Sequence, residues 1–107
     1  MGIDLYHQGY LWEAHEHWEA CFFASRDSAH RTLLQALIQL AAALIQEHKG
    51  RPGGAVRLVA AVRTKLARVV AASPSPGRVA GLDPTRLLAD VEAHFAGSAP
   101  PPRLVPE

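Results

Sequence analysis

Residues 33–45 form an apolar segment that most strongly constrains how this chain can fold. The only polar members of the segment are Gln35 and Gln39, and all the others are leucine, isoleucine or alanine. A helix that is apolar on nearly every side needs other elements packed around it. We therefore predict a central helix over residues 29–49 that is covered by the other helices of a small bundle.

The segment before the central helix carries the signals of two shorter helices. Asp4 is a good N-cap, and a first helix of one or two turns is expected to end at Gly9. Apolar residues then recur at helical spacing over residues 11–24, which predicts a second helix. Residues 25–28 are mostly polar and are typical of a break between helices.

Two more helices are predicted after the central one. Glycine and proline within residues 50–54 let the chain reverse, and residues 55–72 again show helical spacing. Residues 73–81 are rich in proline and glycine and are expected to form a loop. Asp83, with a proline directly after it, supplies the N-cap of a last helix over residues 84–95.

The predicted fold is all-α, a compact antiparallel bundle of four to five helices, because no segment alternates polar and apolar residues as a half-buried strand does. At 107 residues the chain is expected to form a single helical domain over residues 1–96. Residues 97–107 are rich in proline and are expected to be a flexible tail.

Composition and charge point to no particular class of partner. The chain is 49% hydrophobic and 20% charged, with a net charge of +1, which is ordinary for a soluble globular protein. Residues 49–78 contain seven basic residues and no acidic one, but they include no aromatic residue that could stack on bases. Binding of nucleic acid is therefore not expected.

The sequence favours a cytoplasmic location without membrane contact. Cys21 is the single cysteine and cannot form a disulfide within the chain. Residues 1–8 have neither the basic start nor the apolar stretch of a signal peptide. The longest apolar stretch, residues 40–45, is far shorter than the roughly 20 residues that cross a bilayer.

The predicted second helix contains an unusual concentration of acidic and aromatic residues. Residues 10–19 include three glutamates, two histidines and two tryptophans, and the first 25 residues contain no lysine or arginine. Glu13, Glu16 and Glu19 share a helix face and repel one another. Because they alternate with aromatic residues that belong in a core, one or two of these carboxylates are expected to be partly buried and to need a partner.

Two structural partners are open for these carboxylates. The first is the row of glutamines on the central helix, where Gln35, Gln39 and Gln46 could donate amide hydrogens to them. The second is an arginine of the following helix, Arg57 or Arg63. Neither arrangement requires a function.

A third partner is a bound divalent metal ion. His15 and Glu19 are four residues apart on one helix face, and Glu16 lies beside them. Together they offer two or three ligands, which His7, His48 or a glutamine carbonyl could complete. The spacing is neither that of the zinc protease motif nor the Glu-x-x-His of di-iron bundles.

Two separated motifs stand out in the chain. The first comprises Gly9, Tyr10, Glu13, Ala14, His15, Glu16 and Glu19. The second comprises Leu37, Ile38, Gln39, Ala41, Ala42 and His48, followed by Gly50, Gly54 and Ala55. In this order and spacing they resemble the family called Domain of Unknown Function 309, and the resemblance covers residues 4–95. The chain departs from the family pattern at His7 and Arg51, where the family has asparagine, and at Ala36, where it has glycine.

The resemblance implies a small all-helical bundle for which no activity, ligand or partner is established. It also implies that the polar centre of the family is formed by Glu13, His15, Glu16, Glu19, Gln39 and His48. The segment with Gly9, Tyr10 and Ala14 is similar to part of one tetratricopeptide unit, but no 34-residue period accompanies it.

Two functional hypotheses follow. The first is a non-catalytic module that binds a partner protein or a small ligand in the groove between the second helix and the central helix. The second is a metal-dependent enzyme of the hydrolase type, in which His15, Glu16 and Glu19 hold a divalent metal ion and Glu13 is the general base. No other cofactor is expected, and the aromatic residues of the second helix leave a homo-oligomer open.

Overall fold

The computed structural model describes residues 2–72 and 82–104 and confirms the all-α bundle. The described residues form five helices, and their bounds are α1 Gly2–His7, α2 Leu11–Ala24, α3 Ser28–His48, α4 Pro52–Ala72 and α5 Pro84–Phe95. The predicted loop over residues 73–81 lies outside the described residues. Within those ranges, no helix combines the length and the apolar character that a membrane span requires.

The central position of α3 is confirmed. α3 packs against α2 on one side and α4 on another, while α1 packs on α2 and α5 packs on α4. Its buried residues are Leu33, Leu34, Ala36, Leu37, Leu40, Ala41, Ala43, Leu44 and Ile45. A helix that other helices cover on two sides needs apolar residues in nearly every direction around its axis.

Local capping explains where two of the helices begin. The Asp83 carboxylate accepts hydrogen bonds from the backbone N–H groups of Thr85 and Arg86, at 3.0 and 3.3 Å, as its predicted role as N-cap requires. Asp27 caps α3 in the same way, accepting from the N–H of His30 at 2.7 Å, although the sequence only indicated a polar break there. The predicted N-cap role of Asp4 is wrong, because α1 already begins at Gly2.

The connection between α2 and α3 is held by Arg31. Its guanidinium donates to the carbonyl oxygens of Phe22 and Ser25, both at 2.9 Å, and lies 4.1 Å from the centre of the Phe22 ring. The side chain thus adds hydrogen bonds to carbonyls at and just beyond the end of α2, where partners within the helix run out. One residue of α3 therefore ties the end of α2 to the start of α3.

The C-terminal segment over residues 98–104 is packed against the bundle in part, which differs from a flexible tail beginning at residue 97. Leu104 is 1% exposed and belongs to the hydrophobic core, and Pro102 is buried. The backbone N–H of Leu104 donates to Nε2 of His7 at 3.0 Å. A single leucine among prolines has no helical periodicity, so the sequence contained no signal that it would reach the core.

Candidate functional site

The residues predicted to form one polar cluster lie in different environments. Glu13 and His48 line the same surface groove, where the start of α2 faces the end of α3. His15 and Glu19 form a separate pair along α2. Glu16 is exposed, and Gln39 is half-buried on α3. Of the six residues, Glu13 and His48 thus line one groove, His15 and Glu19 form one pair, and Glu16 and Gln39 belong to neither.

The His15–Glu19 pair is the part of the predicted metal site that the structure brings close. His15 Nδ1 lies 3.3 Å from Glu19 Oε1, with side chains 19% and 45% exposed. The contact is poorly directed, so the buried Nδ1 atom has no hydrogen-bond partner among the described residues. Across residues 2–72 and 82–104, no three histidine, cysteine or acidic side chains converge in a way that could hold a metal ion.

The structural partners expected for the glutamates are also absent from the described hydrogen bonds and ion pairs. Gln35 is exposed, the buried Oε1 atom of Gln39 has no hydrogen-bond partner among the described residues, and Gln46 lies against Gly54. The arginines Arg57 and Arg63 are exposed and make no described ion pair with the three glutamates. Glu13 and Glu16 are exposed to solvent, whereas Glu19 is half-buried and pairs with His15 of its own helix.

The groove that contains Glu13 and His48 has two adjoining compartments, and we call both together the α1–α3 groove. The first has a volume of about 260 Å³ and is lined by Gly9, Tyr10, Leu11, Trp12, Glu13, Ile45, His48 and Lys49. The second has a volume of about 430 Å³ and is lined by Tyr6, His7, Gly9, Leu11, Leu44, His48, Pro101, Pro102 and Arg103. Gly9, Leu11 and His48 line both compartments, so the two are continuous at these residues.

The turn between α1 and α2 shapes the rim of the groove. Gly9 has a φ of 84°, in the left-handed region that glycine adopts at low cost, and this lets α1 end and α2 begin within a few residues. The turn leaves Tyr10 and Trp12 on the surface, 52% and 54% exposed. On the opposite rim, Nζ of Lys49 lies 5.8 Å from the centre of the Trp12 ring.

The floor of the groove is apolar and its charged rim is mainly basic. Leu11, Leu44 and Ile45 are all buried in the core beneath the groove. Lys49 and Arg103 carry positive charge on the rim, and Glu13 is the single carboxylate in the lining. This arrangement suits a group that is apolar on one side and carries an acidic or hydrogen-bond-accepting atom on the other.

Several of these groove residues were not predicted from the sequence. Pro101, Pro102 and Arg103 reach the groove only because the C-terminal segment packs on α1, and no local pattern signals that contact. Tyr10 belongs to the first family motif and Lys49 ends the predicted central helix, but neither was predicted to line a groove. The one sequence signal that could have indicated the exposed rim of the groove is the pair of aromatic residues, Tyr10 and Trp12, next to Gly9.

A larger cavity, about 540 Å³, lies between α4, α5 and the end of α3. Its lining residues are Glu47, Ala55, Val56, Val59, Arg63, Glu92, Phe95 and Ala96, and it includes none of the six predicted cluster residues. Glu47 Oε1 lies 2.8 Å from Nε2 of His94, whose Nδ1 lies 3.0 Å from the carbonyl oxygen of Ala99. Both ring nitrogens face acceptors, so both hydrogen bonds form together only when His94 is an imidazolium.

The fold and the α1–α3 groove define a small all-α bundle with a surface groove at the end of its central helix. A family model described as Domain of unknown function (DUF309) matches residues 1–58, more than half of the 107 residues. The chain belongs to this family, as its two motifs indicated. The match covers α1 to α3 and the start of α4, and it is shorter than the resemblance over residues 4–95. No curated protein and no solved structure matches the chain.

Proposed function

We propose that the protein is a non-catalytic binding module that holds a short segment of a partner protein in the α1–α3 groove. The observation that carries this proposal is that Glu13 and His48, one from each family motif, line one groove together with the exposed rings of Tyr10 and Trp12. Tyrosine and tryptophan dominate binding energy at protein interfaces, because they bury a large rigid area at small entropic cost.

The apolar floor determines which side chain the partner should present. The compartment beside Leu11 and Leu44 has a volume of about 430 Å³, which accommodates a leucine or phenylalanine side chain with room for backbone. Burying such a side chain contributes about 1.5–3 kcal/mol to binding. The partner segment is therefore expected to anchor itself through one large apolar residue.

The charges on the rim of the groove determine which residues the partner segment should carry beside its apolar anchor. Lys49 and Arg103 line different compartments of the groove, and Glu13 lines the same compartment as Trp12 and Lys49. An acidic residue beside the apolar anchor meets these cations, whereas a basic residue meets them as a like charge. Rim charges of this kind govern specificity and association rate more than affinity.

Binding rather than catalysis is supported by where the residues of the hydrolase hypothesis lie. Glu13, the proposed general base, lines the groove, whereas His15 and Glu19, two of the proposed metal ligands, pair with each other and are not among the described lining residues. A general base that lies apart from these ligands is poorly placed to act on a metal-bound water.

The experiment is a titration with acetylated hexapeptides that differ only in their central residues. One peptide has leucine flanked by glutamate, one has leucine flanked by lysine, and one has alanine flanked by glutamate. Backbone amide chemical shifts of the isotope-labelled protein are followed by nuclear magnetic resonance. We expect the leucine–glutamate peptide to shift the amides of Gly9, His48 and Lys49 most strongly.

Matched variants connect the shifts to the groove. Lys49→Glu is expected to weaken binding of the leucine–glutamate peptide several-fold, while Arg26→Glu, an equal charge reversal at an exposed loop residue, leaves it unchanged. The proposal fails if the three peptides act alike, if the shifts fall around Glu92 and Phe95 instead, or if both variants bind equally.

A further inference from the structure

The outer face of α2 carries a stripe of aromatic and acidic residues, of which three are exposed and one is half-buried in the described part of the chain. We call it the acidic face, and it consists of Trp12, Glu16, Glu19 and Phe23. These residues recur at helical spacing and fall on one side of α2. Phe23 is 76% exposed, the most exposed large apolar side chain among the described residues.

The outer face of α4 has the opposite charge. We call it the basic face, and it consists of Arg57, Ala60, Thr64 and Arg68, all exposed. The hydroxyl of Thr64 donates to the carbonyl oxygen of Ala60 at 3.0 Å, so this side chain is turned back onto its own helix. Small groups therefore occupy the middle of the basic face, and an arginine stands at each end.

The two faces match in length as well as in charge. Trp12 and Phe23 are eleven residues apart, and so are Arg57 and Arg68. At a rise of about 1.5 Å per residue, both pairs span about 16.5 Å along their helices. Two arginines placed over two aromatic rings can each reach a carboxylate one turn nearer the centre of the acidic face.

The chain already uses this type of contact within one molecule. The Arg31 guanidinium lies 4.1 Å from the centre of the Phe22 ring while it donates to backbone oxygens nearby. Among residues 2–72 and 82–104, by contrast, neither Arg57 nor Arg68 takes part in an ion pair, and neither does Glu16.

We propose that a second copy of this chain binds the acidic face of α2 through the basic face of its α4. Because the two faces are different surfaces, the contact is head-to-tail, and further copies add at the free faces unless the ring closes. A single pair of helix faces buries less area than a standard interface, so the association is weak and depends on concentration. This surface adjoins the α1–α3 groove at Trp12, and the other three residues of the acidic face are not among the described groove residues.

The first test is sedimentation velocity of the full chain over a wide range of protein concentration. We expect the weight-average sedimentation coefficient to rise with concentration at about 0.01 M salt and to fall back toward the monomer value at about 1 M salt, where screening is nearly complete. A monomer at every concentration in low salt would overturn the proposal.

Charge reversal on each face then identifies the surfaces. Glu16→Lys leaves the basic face intact, and Arg68→Glu leaves the acidic face intact, so each variant alone should lose self-association. When the two variants are mixed, the intact faces of each can meet, and a one-to-one complex should form. Self-association that survives in both single variants, or a mixture that stays monomeric, would also overturn the proposal.

Two controls separate the contact from changes in folding and net charge. Arg26→Glu changes net charge as Arg68→Glu does, at an exposed residue outside both faces, and should associate like the unaltered chain. Phe23→Ala tests the aromatic end of the acidic face without any change of charge and should weaken association. All variants should melt near the unaltered chain, because every substituted side chain is exposed.

Discussion

The phenolic oxygen of Tyr6 donates a hydrogen bond of 2.7 Å to the carbonyl oxygen of Pro102, which lies 96 residues later in the chain. The bond is buried and joins α1 to the C-terminal segment that forms one wall of the α1–α3 groove. Burial raises the pKa of Tyr6 well above its ordinary value, because the phenolate would lose its hydration. Tyr6 therefore stays a neutral hydrogen-bond donor, and its bond to Pro102 ties the C-terminal wall of the groove to α1.

Tyr6→Phe removes this donor while keeping the aromatic ring. The Pro102 carbonyl oxygen then loses its partner, and the free energy of unfolding should fall by about 1–3 kcal/mol. Urea unfolding followed by circular dichroism measures the change. Tyr10→Phe, at a half-exposed ring, is the control and should change stability by less than about 0.5 kcal/mol. Equal losses in the two variants would contradict a structural role for the Tyr6 hydroxyl.

Leu104→Ala tests whether the C-terminal segment is part of the core. Leu104 is 1% exposed, so its truncation should lower the free energy of unfolding by about 2–5 kcal/mol. Val56→Ala shortens a side chain that is 66% exposed and should cost less than about 0.5 kcal/mol. Chemical denaturation of both variants gives the comparison. A Leu104→Ala protein as stable as the unaltered chain would restore the expectation of a flexible tail.

Arg31→Lys keeps the positive charge and removes the planar guanidinium. A lysine ammonium can neither bond both the Phe22 and Ser25 carbonyls in the same fork nor stack on the ring in the same way. The expected loss in the free energy of unfolding is about 1–2 kcal/mol, and thermal or urea unfolding measures it. Arg26→Lys, in the same connection but exposed, is the control, and a similar loss there would show that Arg31 has no special role.

Gly2→Ala and Gly53→Ala should have opposite signs. A Cβ at Gly2 would overlap Nε1 of Trp18 and come within 2.9 Å of Cδ2 of His17, and the expected loss of stability is about 1–3 kcal/mol. A Cβ at Gly53 meets nothing within 4 Å and replaces a helical glycine, so a gain of about 0.5–1 kcal/mol is expected. Paired melting curves measure both changes. A Gly2→Ala protein as stable as the unaltered chain would contradict the close packing at Gly2, and a destabilised Gly53→Ala protein would contradict the open space at Gly53.

Chelator should leave the melting temperature of the unaltered protein unchanged. His15 and Glu19 give two converging donors, fewer than a stable divalent site needs, and Glu16 is exposed. Metal content of the untagged protein and melting curves with and without chelator test this. If chelator destabilises the unaltered protein but not His15→Ala, the pair holds a metal ion and the enzyme hypothesis gains support.

The family motifs indicated that Glu13 and His48 belong to a set of six polar residues. The motifs could not show which of the six line the same groove. Helical spacing places Glu16 and Glu19 correctly on one stripe of α2, yet it does not show how that helix is rotated against α3. In the structure the rotation directs Ala14 and Trp18 into the core and leaves Glu16 in solvent. Glu16 is therefore solvated, and Glu19 pairs with His15 of its own helix instead of with a residue of α3 or α4.

The sequence by itself determined the five helices and the central position of α3. Those features depend on residues close together in the chain, such as the Asp83 cap, the Gly9 turn and the apolar segment at residues 33–45. Interactions between neighbouring residues can be predicted from the sequence pattern in which those residues occur. Only the tertiary structure decided that Leu104 enters the core, that Pro102 binds Tyr6, and that the C-terminal segment completes the groove. These contacts join residues almost a chain length apart, and they arise from shape and burial that become defined once the helices pack.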